Sequence, residues 1–180
     1  MGSARHDAAL NQVLDALRRI TQAIRLSSSV VQDSLGITGA QLFVLQQLAE
    51  VPGASLRELA DRTLTDQSSV SVVVSRLVAA GHIARKTSAT DARRTELTLT
   101  ATGRALLRRA PELAQARLVA TLRGVPAHQL TVAARVLHDA ARAVSSSAEP
   151  AHMFFEPPAS PRPAPAPRVR AKPAGGRRKR

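Results

Sequence analysis

Apolar positions recur at helical spacing along most of this chain. From Asp7 to about Ser34, Leu10, Val13, Leu14, Leu17, Ile20 and Ile24 predict one long helix with a continuous apolar face, which Gly36 stops. A face this long needs cover, either from the same chain or from the C-terminal helices of a second subunit. Thr38 caps a second predicted helix, whose Leu42, Phe43, Leu45 and Leu48 turn inward, and Val51, Pro52 and Gly53 form the loop after it. Ser55 with Glu58 three residues on is a capping box, and Leu56, Leu59 and Ala60 mark the buried side of a short third helix. Thr63 to Thr65 makes a break, Asp66 caps a fourth helix, and Gly81 ends it as a left-handed cap.

That fourth helix has two different faces. Val70, Val73, Val74 and Leu77 fall at i, i+3, i+4 and i+7 and form one apolar stripe. Ser68, Ser71, Val72 and Ser75 repeat the spacing on another face, with Arg76 beside it. Small hydroxyl side chains let a helix sit close to a groove floor, where they and Gln67 can reach base edges or phosphates. Ser69 to Ser75 also alternates as a strand would, but the cap before it and Gly81 after it fit a helix better. Ile83 to Ser88 and Thr95 to Leu99 then read as two short strands around the polar segment Ala89 to Arg94, a hairpin. Two short helices followed by a charged hairpin are the order of a winged helix-turn-helix.

Past the hairpin, Thr100 caps a helix running to about Arg123, with Leu106, Leu107, Ala110, Leu113, Leu118 and Leu122 apolar. Pro111 bends or restarts it. Gly124 and Pro126 mark a further break, and Leu130, Ala133, Ala134, Leu137, Ala141 and Val144 form the last helical stripe. From Ser145 on Ser, Ala and Pro take over. His152, Met153, Phe154 and Phe155 make a small apolar island expected to dock back on the helices, and the Pro, Ala and Arg mixture after Pro157 is expected to be disordered.

Leu77, Ala80, Gly81, His82, Ile83, Arg85, Asp91, Arg93, Leu97, Leu99, Thr100 and Gly103 together resemble the MarR family of bacterial transcription regulators. The resemblance covers roughly residues 7 to 145 and is sharpest from Gly81 to Gly103. It implies a homodimer in which the first and last helices of two subunits intertwine. It also implies a small-molecule effector, commonly aromatic, bound between those helices and the reading domain, which releases DNA. By the same resemblance Arg93 is the wing-tip arginine and Asp91 the acid that orients it. Ala92 stands between them where the family often carries a charge, and Arg94 is the residue expected to compensate.

The predicted fold is therefore mainly α: a winged helix-turn-helix DNA-binding domain with a helical dimerisation region and a small β-hairpin wing, α+β in that limited sense. Residues 1–37 form the N-terminal dimerisation helix, 38–103 the DNA-binding domain, 104–147 the C-terminal dimerisation helices and 148–180 a basic tail. The expected recognition-helix contacts are Gln67, Ser68, Ser71 and Val72 toward the bases and Ser75 and Arg76 toward the backbone. Helix starts near Thr38 and Ser55 offer amides to phosphates. Arg85, Lys86, Asp91, Arg93 and Arg94 serve the wing, with Arg93 and Arg94 aimed at the adjacent minor groove.

Composition sharpens this picture where charge is concerned. The formal net charge of the 180 residues is +13, and eight positive charges lie beyond Glu156 with no acid after it, leaving +5 elsewhere. The tail, ending in Arg177, Arg178, Lys179 and Arg180, suits a sequence-blind electrostatic contact with DNA. There is no cysteine, which excludes disulfides, thiolate metal sites and thiol redox sensing. No apolar run approaches the roughly 20 residues of a bilayer span, and no signal-peptide pattern opens the chain; the expected setting is cytoplasmic, at the bacterial nucleoid. His6, His82, His128, His138 and His152 stand far apart, and no catalytic motif appears, so no metal, no cofactor and no enzymatic activity are expected. The favoured function is a sequence-specific dimeric repressor of a pseudo-palindromic operator. The alternative is an architectural, nucleoid-type DNA protein that relies on its tail.

Overall fold

The computed structural model describes residues 2–88 and 94–145. Among the described residues seven helices and a two-stranded hairpin follow one another: α1 (Gly2–Leu35), α2 (Gly39–Glu50), α3 (Leu56–Thr63), α4 (Gln67–Ala79), β1 (Ile83–Thr87), β2 (Thr95–Leu99), α5 (Ala101–Leu107), α6 (Ala114–Arg123) and α7 (Ala127–Val144). The helix reading of Ser69 to Ser75 holds and the strand alternative falls. The first helix starts at Gly2, five residues before the predicted Asp7.

α2 lies at the centre, packed against α1, α3, α4, α5 and β2. It is the most apolar of these helices, and its Leu42, Phe43, Leu45 and Leu48 are buried together with Leu59, Val70, Val73, Val74, Leu77, Ile83 and Leu97. This core is thus made of the stripes that helical spacing marked, closed by one residue from each strand. α1 and α2 cross closely, since a Cβ at Gly39 would meet the Ser28 hydroxyl of α1.

Chain reversals rest on satisfied helix ends. Thr38 with Gln41 and Ser55 with Glu58 each form a complete capping box, so both helix starts already use their own side chains on the amides expected to serve phosphates. α4 ends in a Schellman turn: Gly81, at φ +74, donates its amide to Val78, and His82 donates to Leu77. The end of α3 repeats this pattern, with Thr65 donating to Ala60, but the left-handed position is Leu64 at φ 54.

The hairpin is antiparallel, with Ile83 opposite Leu99, Arg85 opposite Leu97 and Thr87 opposite Thr95. The loop before α3 pairs with its free edge: Gly53 donates to the Leu97 carbonyl and Leu97 to the Ala54 carbonyl, at 3.0 and 2.9 Å. Thr100 caps α5 by accepting from the Gly103 amide. The helix expected from Thr100 to Arg123 is two helices; α5 stops at Leu107, Pro111 lies in the break, and α6 restarts after the buried Leu113.

α7 has no buried residue, and the facing half of α1 is equally open. Between the two helices lies an apolar cleft of about 580 Å³ lined by Val13, Leu17, Ile20, Val132, Val136 and Leu137. The stripes predicted on these helices therefore exist, yet within one chain they bury little. Among the described residues no helix is long and apolar enough to cross a membrane.

Candidate nucleic-acid interface

Helix α4 is anchored at its start by Asp66. The carboxylate accepts the Ser69 amide at 2.9 Å and also the Ser68 hydroxyl, and these bonds, Ser68's first, hold the Asp66 carboxyl down to about 2. Val70, Val73, Val74 and Leu77 lock one face of α4 into the core. Gln67, Ser68 and Ser75 stand exposed on the other, with Ser71, Val72 and Arg76 half-buried beside them.

The hydroxyl stripe is not uniformly available. Ser68 is engaged by Asp66, and Ser75 accepts a hydrogen bond from the Arg85 guanidinium of β1 at 3.2 Å. Ser71 lines a cleft of about 260 Å³ between α3, α4 and the hairpin, together with Leu56, Val74, Arg85, Thr95 and Leu97. Gln67, at the very start of the helix, is the longest exposed polar side chain of the set.

Arg85 and Lys86 are exposed on β1, and Arg85 reaches the open face of α4 through Ser75. Arg94, which the sequence aims at the minor groove, is held by Glu58: its Nη2 donates to both carboxylate oxygens, at 2.9 and 3.1 Å. Glu58 also accepts the Ser55 amide at 2.7 Å, and the bonds from Ser55, more than the charge of Arg94, hold its carboxyl below the usual range. This pair joins residues 36 apart, and no spacing rule could have found it. Asp91 and Arg93 lie outside the described residues, as do the His152 to Phe155 island and Arg177, Arg178, Lys179 and Arg180 of the tail.

A second cavity, of about 480 Å³, opens where the end of α2 meets β2 and α5, with Leu48, Pro52, Leu99 and Leu107 in its wall and Arg104 and Arg108 at its side. It draws on α2, β2 and α5, and on no residue of α1. Among the described residues no three His, Asp or Glu side chains gather as a metal site.

The chain is similar to known proteins in sequence and in fold. A sequence profile of the MarR family matches residues 35–94. The HTH-type transcriptional repressor Rv2887 of Mycobacterium tuberculosis is 35% identical over 109 residues, 59% of this chain and 78% of that protein. In fold, the chain is similar to the transcriptional regulator BldR from Sulfolobus solfataricus, with TM-score 0.51, 21% identity and coverage of 74% of this chain and 96% of that one. It is also similar to Streptococcus pneumoniae FabT, solved in complex with DNA, with TM-score 0.50, 17% identity and coverage of 75% and 94%.

Proposed function

The chain belongs to the MarR family of transcription regulators, a family of DNA-binding proteins and not of enzymes, and from that premise we propose that it is a dimeric, sequence-specific repressor of a pseudo-palindromic operator. The observation that carries this reading is the split character of α4. One face is immobilised in the core through Val70, Val73, Val74 and Leu77, and the other offers Gln67, Ser71 and Val72 beside a basic hairpin. A rigid helix with small, polar, outward side chains can enter the major groove deeply enough for base edges to be read. Arg93 then serves the minor groove from the wing tip.

The uncovered helices support the dimer. Val132 and Val136 are 62% and 56% exposed, and an 18-residue amphipathic helix with nothing buried needs a partner surface. A second copy supplies it, with residues 1–37 and 104–147 as the dimerisation elements and 38–103 as the reading head. For the effector we favour the cavity beside Arg104 and Arg108, whose size and apolar wall suit a small anionic, partly apolar molecule.

The test is binding of the full-length protein, and of protein truncated after Glu156, to its own upstream intergenic DNA against scrambled DNA across salt. The repressor reading expects a preference that survives truncation and disappears in Arg93→Ala. If truncation abolishes most binding and no preference is seen before it, the tail-driven architectural alternative takes its place.

A further inference from the structure

We propose that Arg94 is a positioning residue for DNA binding: paired with Glu58, it ties the outer end of the wing's strands to the first turn of α3 and sets the wing's attitude over α4. The inference rests on the DNA-binding reading above and replaces the direct groove contact expected of Arg94 from sequence.

The anchor is rigid because it belongs to a helix start. The Glu58 carboxylate accepts the Ser55 amide at 2.7 Å while the Ser55 hydroxyl accepts the Glu58 amide at 3.2 Å, so the acid is fixed before Arg94 reaches it. Arg94 then donates to both of its oxygens. At the other end, the Ser88 amide donates to the Arg94 carbonyl at 2.8 Å, which makes Arg94 the point where the returning strand is joined again to β1. Arg93 is its immediate neighbour in sequence. Holding Arg94 therefore fixes where the chain enters β2.

The wing needs such a tie. A two-stranded hairpin is marginal by itself, and of its strand residues only Ile83 and Leu97 are buried, with Ser88 buried just beyond β1. Farther out, Lys86, Thr87 and Thr95 are exposed, and the 260 Å³ cleft separates the hairpin from α3 and α4. Apolar packing does not fill that gap, so polar links across it set the angle. Arg85 to Ser75 makes one such link from β1, and Arg94 to Glu58 makes one from β2.

The substitution Glu58→Gln separates positioning from contact by the sign of its effect. Glutamine at this position keeps the capping box but loses the ion pair. If Arg94 touched DNA directly, removing a nearby acid would free the arginine and lessen repulsion of the phosphates, and binding would tighten. As a positioning pair, Glu58→Gln weakens binding instead.

The experiment titrates full-length wild type, Glu58→Gln, Arg94→Ala and the double variant with upstream intergenic and scrambled DNA at several salt concentrations, and follows amide hydrogen exchange of the DNA-free proteins. Each single variant is expected to weaken binding to the preferred DNA by about two- to fivefold, the range of a partly exposed ion pair. The double variant should be no weaker than either single one, and Arg94→Ala should leave the salt slope unchanged. Exchange should quicken at Ser88 and over residues 95–99, and not in α2. Tighter binding by Glu58→Gln, additive losses, a salt slope lowered by about one in Arg94→Ala, or unchanged hairpin exchange each overturn the proposal. Wild-type protein that binds neither DNA overturns the DNA-binding reading itself, one that binds both equally overturns only its sequence specificity, and in either case the exchange data still report whether the tie exists.

Discussion

Gly103, in the first turn of α5, lies directly against the carbonyl of His82: a Cβ placed on it would sit 2.2 Å from that oxygen. The same carbonyl accepts the Thr100 amide at 3.0 Å and the Thr100 hydroxyl at 3.2 Å. The exit from α4 and the start of α5 are thus locked together through backbone. An alanine elsewhere in a helix gains up to about 1 kcal/mol over glycine, but here the clash is with main chain and must move it. Gly103→Ala is expected to destabilise the protein by about 1–3 kcal/mol, read from the denaturant midpoint. An unchanged or raised midpoint would show that the junction yields freely.

Asp66 links the stability of the reading helix to pH. Its folded pKa is about 2 against an ordinary 3.8, so it stabilises the fold fully above the ordinary value, loses this as pH falls toward about 2, and contributes nothing below. Asp66→Ala should cost about 1 kcal/mol at neutral pH through loss of the cap. The gap between wild type and variant should close between about pH 4 and pH 2. A gap that stays constant through that window contradicts the assignment.

Leu64 occupies the left-handed position that ends α3 and is 68% exposed. A side chain there costs about 1–2 kcal/mol, while glycine costs roughly 0.5–1 kcal/mol in unfolded-state entropy. Leu64→Gly is therefore expected to be neutral or stabilising by up to about 1 kcal/mol. A lowered melting temperature would mean that the leucine makes a contact in the dimer or elsewhere.

Val136 is the cleanest probe of the uncovered cleft, since it is more than half exposed within one chain. Sedimentation should find the wild type as a dimer and Val136→Glu as a folded monomer with much weaker DNA binding. A wild type that sediments as a monomer at all concentrations removes the dimer from the reading.

Gln67 is the side chain of α4 with the most freedom to address a base. Gln67→Ala should cost about 1–3 kcal/mol on the preferred DNA and nothing on scrambled DNA. Equal losses on both would assign Gln67 to the backbone.

Much of this molecule was decided locally, and the sequence by itself determined that part. Spacing of apolar residues fixes which face of α2 and α4 is buried, because side chains 3 and 4 positions apart share a helix face. Thr38, Ser55, Asp66 and Thr100 were legible as caps because each acts on an amide two or three residues away. The hairpin, the turn at Gly81 and the basic character of the surface were legible for the same reason.

Only the tertiary structure decided what depends on residues far apart in the chain. It joined Arg94 to Glu58 and Arg85 to Ser75, so that three side chains a linear reading offers to DNA are hydrogen-bonded within the chain. It showed that Gly103 is required by His82 and not by helix formation, and that a leucine fills a turn where glycine is the usual choice. It also left α7 bare, a fact invisible in a stripe that looks the same whether its cover comes from this chain or another. Pairing across sequence is a matter of where the core places two backbones, and the core is a property of the whole fold.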